Sequence, residues 1–406
     1  MSCLLVTNIF PPINGGSAVV YEKLARYSAQ GQLVILAPRF HCATREELTG
    51  WDSLDRDAPY PVHRLKLLRP WVVQSRSVWH SISLMLVQDL PLRLKVLLYT
   101  LALIRKYRIK TLCIGELSSM SWLGLACRTL TGVRVINYIH GEEVTADSDH
   151  RRLGDQRGRY LRSADAVVAV SDFTRRYLIE HFSVAADKVH LITNGVDLKQ
   201  FSPGPKSELL LQRYGLEGKK ILLTVGRLIP RKGIDRTIEA LPQVLAKQPE
   251  SHYLVVGAGP YLAELQQLVA RLGLEQHVTF AGRIAEEALV EHYRLCDLFL
   301  MPNREMPDKE TEGFGLVFLE ANACDKPVIA GLAGGAVEAV KHGYNGLSVE
   351  GDQVDQIAAA ILSLIQDPEL SQQLRSNGLA LAQQSGFDVC AQRFQDVCKA
   401  LVTAQS

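Results

Sequence analysis

Short runs of Val, Ile and Leu alternate along this chain with segments whose apolar positions recur every three or four residues. Such alternation predicts parallel strands joined by crossover helices, and hence an α/β protein. In the N-terminal half the runs predict strands at Cys3–Thr7, Leu33–Ala37, Thr111–Gly115, Val133–Ile139, Ala166–Val170 and Val189–Ile192. In the C-terminal half they predict strands at Ile221–Val225, Tyr253–Val256, Val278–Phe280, Leu298–Met301 and Pro327–Ala330. Several runs are apolar throughout, so helices are expected on both faces of each sheet.

Between the two sets lies Asn194-Gly195-Val196-Asp197, then Phe201-Ser202-Pro203-Gly204-Pro205, a cluster of turn formers that reads as an interdomain linker. The expected organisation is two doubly wound, Rossmann-like domains, residues 1–195 and 205–385, facing a central cleft where ligands would bind at the carboxyl ends of the strands. The helical period from about Phe387 to Val402 makes residues 386–406 a C-terminal helix that returns to the first domain.

The chain has 406 residues, 47% hydrophobic and 22% charged, which is the composition of a globular protein and excludes disordered and fibrous classes. A net charge of +2 gives no electrostatic case for nucleic-acid binding. That balance is uneven: residues 1–190 hold 25 Lys/Arg against 17 Asp/Glu, while residues 61–110 hold ten basic residues and the single acid Asp89. With Trp71, Trp79 and many leucines, this stretch either lays part of the first domain on an anionic membrane or consists of ordinary core helices with basic surfaces. The N-terminal MSCLLVTNIF reads as a strand and not as a signal peptide, and Asp89, Pro91, Arg93 and Lys95 interrupt the longest apolar stretch. The eight cysteines form no C-x-x-C pair and are expected to be reduced packing residues.

Candidate chemistry concentrates in two segments. In Thr224-Val-Gly226-Arg227-Leu-Ile-Pro230-Arg231-Lys232-Gly233 a buried strand leads into a loop with Arg227 and Lys232 and then a helix. Two cations and free N–H groups at one strand end suit a diphosphate, and a solvated basic loop is the alternative. In Glu312-Gly-Phe314-Gly315-Leu316-Val-Phe-Leu-Glu320 two carboxylates flank a helix start, Glu320 about two turns into the helix, and are suited to accept hydrogen bonds from sugar hydroxyls. Helix-dipole pairing for Glu312 and a surface position for Glu320 are the competing readings.

Together, G-R-L-x-x-x-K-G at 226–233 and the E-x7-E pair Glu312 and Glu320 resemble glycosyltransferase family 4, the retaining nucleotide-sugar glycosyltransferases of the GT-B fold. Gly15-Gly16 after the first strand, His140 after the fourth and the Asn194–Asp197 linker fall in the same order as in that family. The resemblance implies that Arg227 and Lys232, with Gly226, hold the donor diphosphate, Glu320 the ribose and Glu312 the transferred sugar. It further implies backbone amides from Phe314, Gly315 and Leu316, base recognition near Arg283 and Ile284, a glycine turn at Gly257, approach of Gly15 and Gly16, and contact of His140 with the donor sugar. Asn14-Gly15-Gly16 also reads as a plain tight turn, and His140 as a structural imidazole. The D-x-D triplets Asp55–Asp57 and Asp147–Asp149 read as solvated loops, so no metal site is expected, because the cations can neutralise the leaving group.

The resemblance therefore implies a cytoplasmic enzyme, peripheral on the inner membrane face, that moves a hexosyl unit from GDP-mannose or a UDP-sugar to a glycan or lipid-linked hydroxyl without a cofactor. A sugar-nucleotide epimerase of the same architecture and a non-catalytic sugar-nucleotide sensor are the rival functions.

Overall fold

The computed structural model describes residues 2–13, 15–71, 77–145 and 156–403. Thirteen strands are defined among them: β1 Cys3–Val6, β2 Leu33–Pro38, β3 Val62–Leu65, β4 Thr111–Ile114, β5 Arg134–Ile139, β6 Ala166–Ala169 and β7 Val189–Leu191, followed by β8 Lys220–Val225, β9 Ser251–Val256, β10 Val278–Gly282, β11 Leu298–Met301, β12 Val328–Gly331 and β13 Leu347–Val349. They form two parallel sheets, ordered β3-β2-β1-β4-β5-β6-β7 and β10-β9-β8-β11-β12-β13. The chain divides accordingly into two compact units. The described residues of one fall in 2–144, 156–193 and 387–403, and those of the other are residue 145 and residues 194–386.

Each sheet is doubly wound. Strand order reverses between β1 and β4 in the first sheet and between β8 and β11 in the second, so a crevice opens at the carboxyl ends of those strands within each unit. The strand interiors are fully buried, as in Leu4, Ile35, Leu222 and Leu300, because helices cover both faces. The first unit also carries the terminal helix, Phe387–Thr403, which packs on helix Gly16–Tyr27. There the Phe394 ring lies 6.0 Å from that of Tyr138, and Cys390 Sγ donates to the Thr193 carbonyl.

The sequence pattern missed two strands. β13 has three residues, too few to show a period. β3, Val-His-Arg-Leu, carries a charge in its centre, and that charge is buried: Arg64 donates to both Asp55 oxygens (2.9 and 2.8 Å) and to the Pro38 and Pro11 carbonyls. Asp55 therefore stands in helix Trp51–Asp57 as the partner of Arg64, not in a solvated loop. Asn14, Arg76 and Asp147–Asp149 lie outside the described residues. All eight cysteines are free, seven of them buried. No helix among the described residues is long and apolar enough to cross a membrane.

Candidate active site

The order reversal of the second sheet brings together the loops after β8 and β11. β8 runs into Gly226, whose N–H donates to the Val256 carbonyl (2.9 Å), and the Leu228 N–H donates to that of Ala258 (3.1 Å). The loops after β8 and β9 are thereby zipped backbone to backbone. A Cβ on Gly257 would lie 1.8 Å from the Gly226 carbonyl oxygen, so this glycine is needed for main-chain packing whatever else it touches. A turn of 3₁₀ helix, Pro230–Lys232, follows, and helix Ile234–Leu245 starts after Gly233. Gly233 holds φ at +71°, and a Cβ there would meet the Pro302 carbonyl oxygen at 2.1 Å. This contact sets the helix start against the end of β11.

Lys232 and Glu312 meet. Lys232 Nζ lies 2.5 Å from Glu312 Oε2 and the Arg231 guanidinium 3.7 Å from the same oxygen, with all three side chains nearly buried. Burial pushes the Glu312 carboxyl upward, but the two cations outweigh it and hold the acid below its usual value. Arg231 also donates to the Thr311 carbonyl (2.9 Å), so the cationic turn is stitched to the acidic loop through both side chain and backbone. Arg227 is exposed. Glu320 accepts a 2.6 Å hydrogen bond from the buried Tyr293 hydroxyl. Its helix, Leu316–Ala323, begins later than expected, with Gly315 as its cap, so Glu320 lies little more than one turn in instead of two. Phe314 is buried, and in the first turn the Phe318 N–H donates back to the Gly315 carbonyl (3.1 Å). Arg283 and Ile284 follow β10, whose register breaks between Phe280 and Gly282.

Three further residues hold this arrangement. The Arg304 guanidinium grips Asp235 bidentately (3.0 and 2.8 Å), and its backbone N–H donates to the Arg231 carbonyl (2.9 Å). Asn303, fully buried, accepts from the Gly331 N–H and donates to the Ala333 carbonyl, fixing the loop after β12 to that after β11. Asn303–Thr311 is a polar run in the sequence between β11 and Glu312. Its partners could not be read there, because they lie 28 to 80 residues away.

In the first unit Gly15 caps the start of helix Gly16–Tyr27. His140 follows β5 with its ring edge-on to Tyr21 (5.0 Å) and tilted against Tyr138 (5.2 Å). Burial pushes the imidazole down to about 3, so the ring is neutral at physiological pH, and Nε2 has no hydrogen-bond partner among the described residues. A neutral ring with an unused nitrogen is equipped to bond a hydroxyl.

Both oxygens of Glu143, a residue absent from the sequence expectations, accept from the His140 N–H at 3.2 Å. Burial raises this carboxyl from 4.5 to about 7. Because the folded value is the higher one, the stability Glu143 contributes is full below about 4.5 and is lost as pH rises through about 7. His140 has the opposite sign: its contribution is full above 6.5 and is lost as pH falls toward about 3. Glu143→Gln should therefore gain on the parent protein between pH 5 and pH 8 by about 1–3 kcal/mol, toward the lower end because the side chain is partly exposed. Urea denaturation at the two pH values measures this, and a difference independent of pH would refute it.

A cationic strand end suited to a diphosphate, beside carboxylates suited to hydroxyls, on two doubly wound parallel sheets, defines the class: a GT-B glycosyltransferase that uses a nucleotide sugar. Comparison with known proteins makes this particular. Residues 13–200 match the family described as Glycosyltransferase Family 4, and residues 207–380 match Glycosyl transferases group 1. The chain belongs to glycosyltransferase family 4. It is 34% identical over 375 residues, 90% of this chain and 89% of the relative, to the GDP-mannose-dependent alpha-(1-6)-phosphatidylinositol monomannoside mannosyltransferase of Mycolicibacterium smegmatis. A Corynebacterium glutamicum mannosyltransferase acting on the monoacylated form of that lipid is 29% identical over the same shares. The fold is that of Anabaena Alr3699/HepE, solved with UDP and glucose (TM-score 0.77, 23% identity, 98% of this chain and 99% of that one). Sucrose-phosphate synthase from Thermosynechococcus elongatus superposes equally well (TM-score 0.77, 23% identity, both chains covered completely).

Proposed function

We propose that this enzyme transfers a mannosyl unit from GDP-mannose to a hydroxyl of a glycolipid acceptor, with retention at the anomeric carbon and without a metal ion. The reading is carried by the Lys232–Glu312 pair at the switch point of the second sheet, with Arg227 on the same loop. The donor and acceptor follow the relatives, whose names specify GDP-mannose and phosphatidylinositol mannosides. As the sugar leaves, positive charge spreads over its ring and negative charge grows on the diphosphate. Lys232, Arg227 and the helix start at Ile234 oppose that negative charge, which is the part a metal ion plays elsewhere. Glu312 aligns Lys232 and presents its second oxygen to a sugar hydroxyl. Glu320 takes the ribose and His140 a hydroxyl of the transferred sugar. Family membership supports retention: the acceptor attacks from the face the diphosphate leaves, and a departing phosphate oxygen receives its proton. A lipid acceptor and a nucleotide-sugar donor both support a place at the cytoplasmic face of the membrane.

Thermal shift with UDP-, GDP- and ADP-sugars, followed by GDP release with phosphatidylinositol mannosides and NMR of the product's anomeric proton, tests these assignments. An α-linked product formed in EDTA is expected. Isomerised donor without acceptor would make the protein an epimerase, and binding without release a sensor. Arg227→Ala should lower kcat/KM by roughly tenfold to a hundredfold, about 1.5–3 kcal/mol for one charge-assisted contact. Unchanged steady-state rates would remove Arg227 from the site.

A further inference from the structure

The basic stretch of the first unit contains a helical run with an unusual surface. Val78–Leu84, Met85–Asp89 and Leu90–Tyr107 follow without a break, the middle segment being a widened, π-helical turn. Val96, Thr100, Leu103 and Ile104 turn one side into the core. Trp79, Ile82, Met85, Leu86, Val87, Leu90, Leu94 and Leu98 are all exposed, Trp79 by 80% and Val87 by 71%. Single exposed leucines are ordinary, whereas eight large apolar side chains along one helical run mark a surface made for contact.

The spacing keeps them in line. Residues four apart drift by about 40° per step around a 3.6-residue helix, so Ile82, Leu86, Leu90, Leu94 and Leu98 would spiral away from a common face. The wide turn at Met85–Asp89 rotates less per residue and takes back much of that drift, leaving a ridge. Exposed cations flank it: Arg93 and Lys95 on either side of Leu94, then Arg105, Lys106, Arg108 and Lys110 beyond Leu98. Asp89 is the only acid between residues 78 and 110.

We infer that the ridge from Trp79 to Leu98 docks the enzyme on a bilayer rich in anionic lipid, with the apolar side chains entering the acyl boundary and the flanking cations meeting phosphate head groups. An apolar ridge edged by cations and nearly devoid of acids complements that surface on both counts. A second copy of this chain would bring the same cations face to face. The inference rests on the membrane-surface placement proposed above, and it moves the contact from basicity in general to one helical face. Arg64, among the basic residues of the stretch, takes no part, because its charge is committed inside the fold.

The full chain would be sedimented with phosphatidylglycerol:phosphatidylcholine (1:1) vesicles and with phosphatidylcholine alone. Binding at least about tenfold stronger to the anionic vesicles is expected, weakened by salt. The variant L86S/L90S/L94S should lose about tenfold or more in vesicle affinity while melting like the parent, since the replaced side chains are exposed. Trp79 fluorescence, taken as the difference from Trp79→Phe, should be quenched by lipid brominated on its acyl chains. Unaltered binding of the triple variant, or absence of that quenching, overturns the inference. So does a lipid-free dimer that the variant abolishes, which would show that the ridge is covered by another copy. Release of GDP with a short-chain, water-soluble acceptor separates the two readings: if it persists while vesicle binding fails, the transferase reading stands and the docking face falls.

Discussion

Lys232→Ala should lower kcat/KM by roughly 100- to 1,000-fold, about 3–4 kcal/mol, and also destabilise the second unit by about 3 kcal/mol. Two losses combine. The ammonium proposed to face the departing diphosphate is gone, and Glu312 is left nearly buried with the more distant Arg231 guanidinium, 3.7 Å away. Burial, the larger influence on this acid, then dominates and Glu312 takes up a proton more readily, which limits the stability cost. The double variant Lys232→Ala/Glu312→Gln separates the effects. Removing the stranded charge should restore about 1–2 kcal/mol of stability while activity stays low, because the missing cation is not replaced. Urea denaturation and GDP release together make the comparison. A near-normal rate for Lys232→Ala would mean that the diphosphate is bound elsewhere.

The second large effect concerns a residue that does not reach the donor in this reading. Arg304→Ala should cost about 3–5 kcal/mol, because it removes the bidentate partner of the Asp235 carboxylate, leaving it the 3.4 Å Tyr261 hydroxyl contact, in a site where both side chains are about one-tenth exposed. In a unit of this size that lowers Tm by roughly 10 °C. The consequence for function is positional. Arg304 ties the loop after β11 to the first turn of helix Ile234–Leu245, and its N–H holds the Arg231 carbonyl beside Lys232. Arg304→Lys keeps the charge but loses the planar fork, so about half of the stability should return, and donor KM should remain raised more than kcat is lowered. If Arg304→Ala melted with the parent, the fork would be a surface ion pair of little worth.

The readable parts of this protein are those coded by neighbours in the chain. Continuous apolar runs such as Leu33–Pro38 and Leu298–Met301 announce buried parallel strands because both faces must leave water. The cations at 227 and 232 and the acids at 312 and 320 are recognisable because the first pair falls at one strand end and the second pair flanks one helix start. β3 was not legible, since its central Arg64 is neutralised by Asp55, a partner from the preceding helix. The membrane expectation drawn from basic residues at 61–110 likewise treated all of them alike, although folding buries Arg64 and leaves Arg93 and Lys95 beside an apolar ridge.

By itself, then, the sequence determined two α/β units and the strand ends at which the candidate side chains fall, because periodicity and turn chemistry act over a few residues. Only the tertiary structure decided that Lys232 is paired with Glu312, that Asp235 and Arg304 brace them, that Gly257 serves a main-chain contact, and that one helical face is left apolar in water. These depend on contacts between residues far apart in the chain and on which face each helix buries, and no local pattern of residue types specifies either.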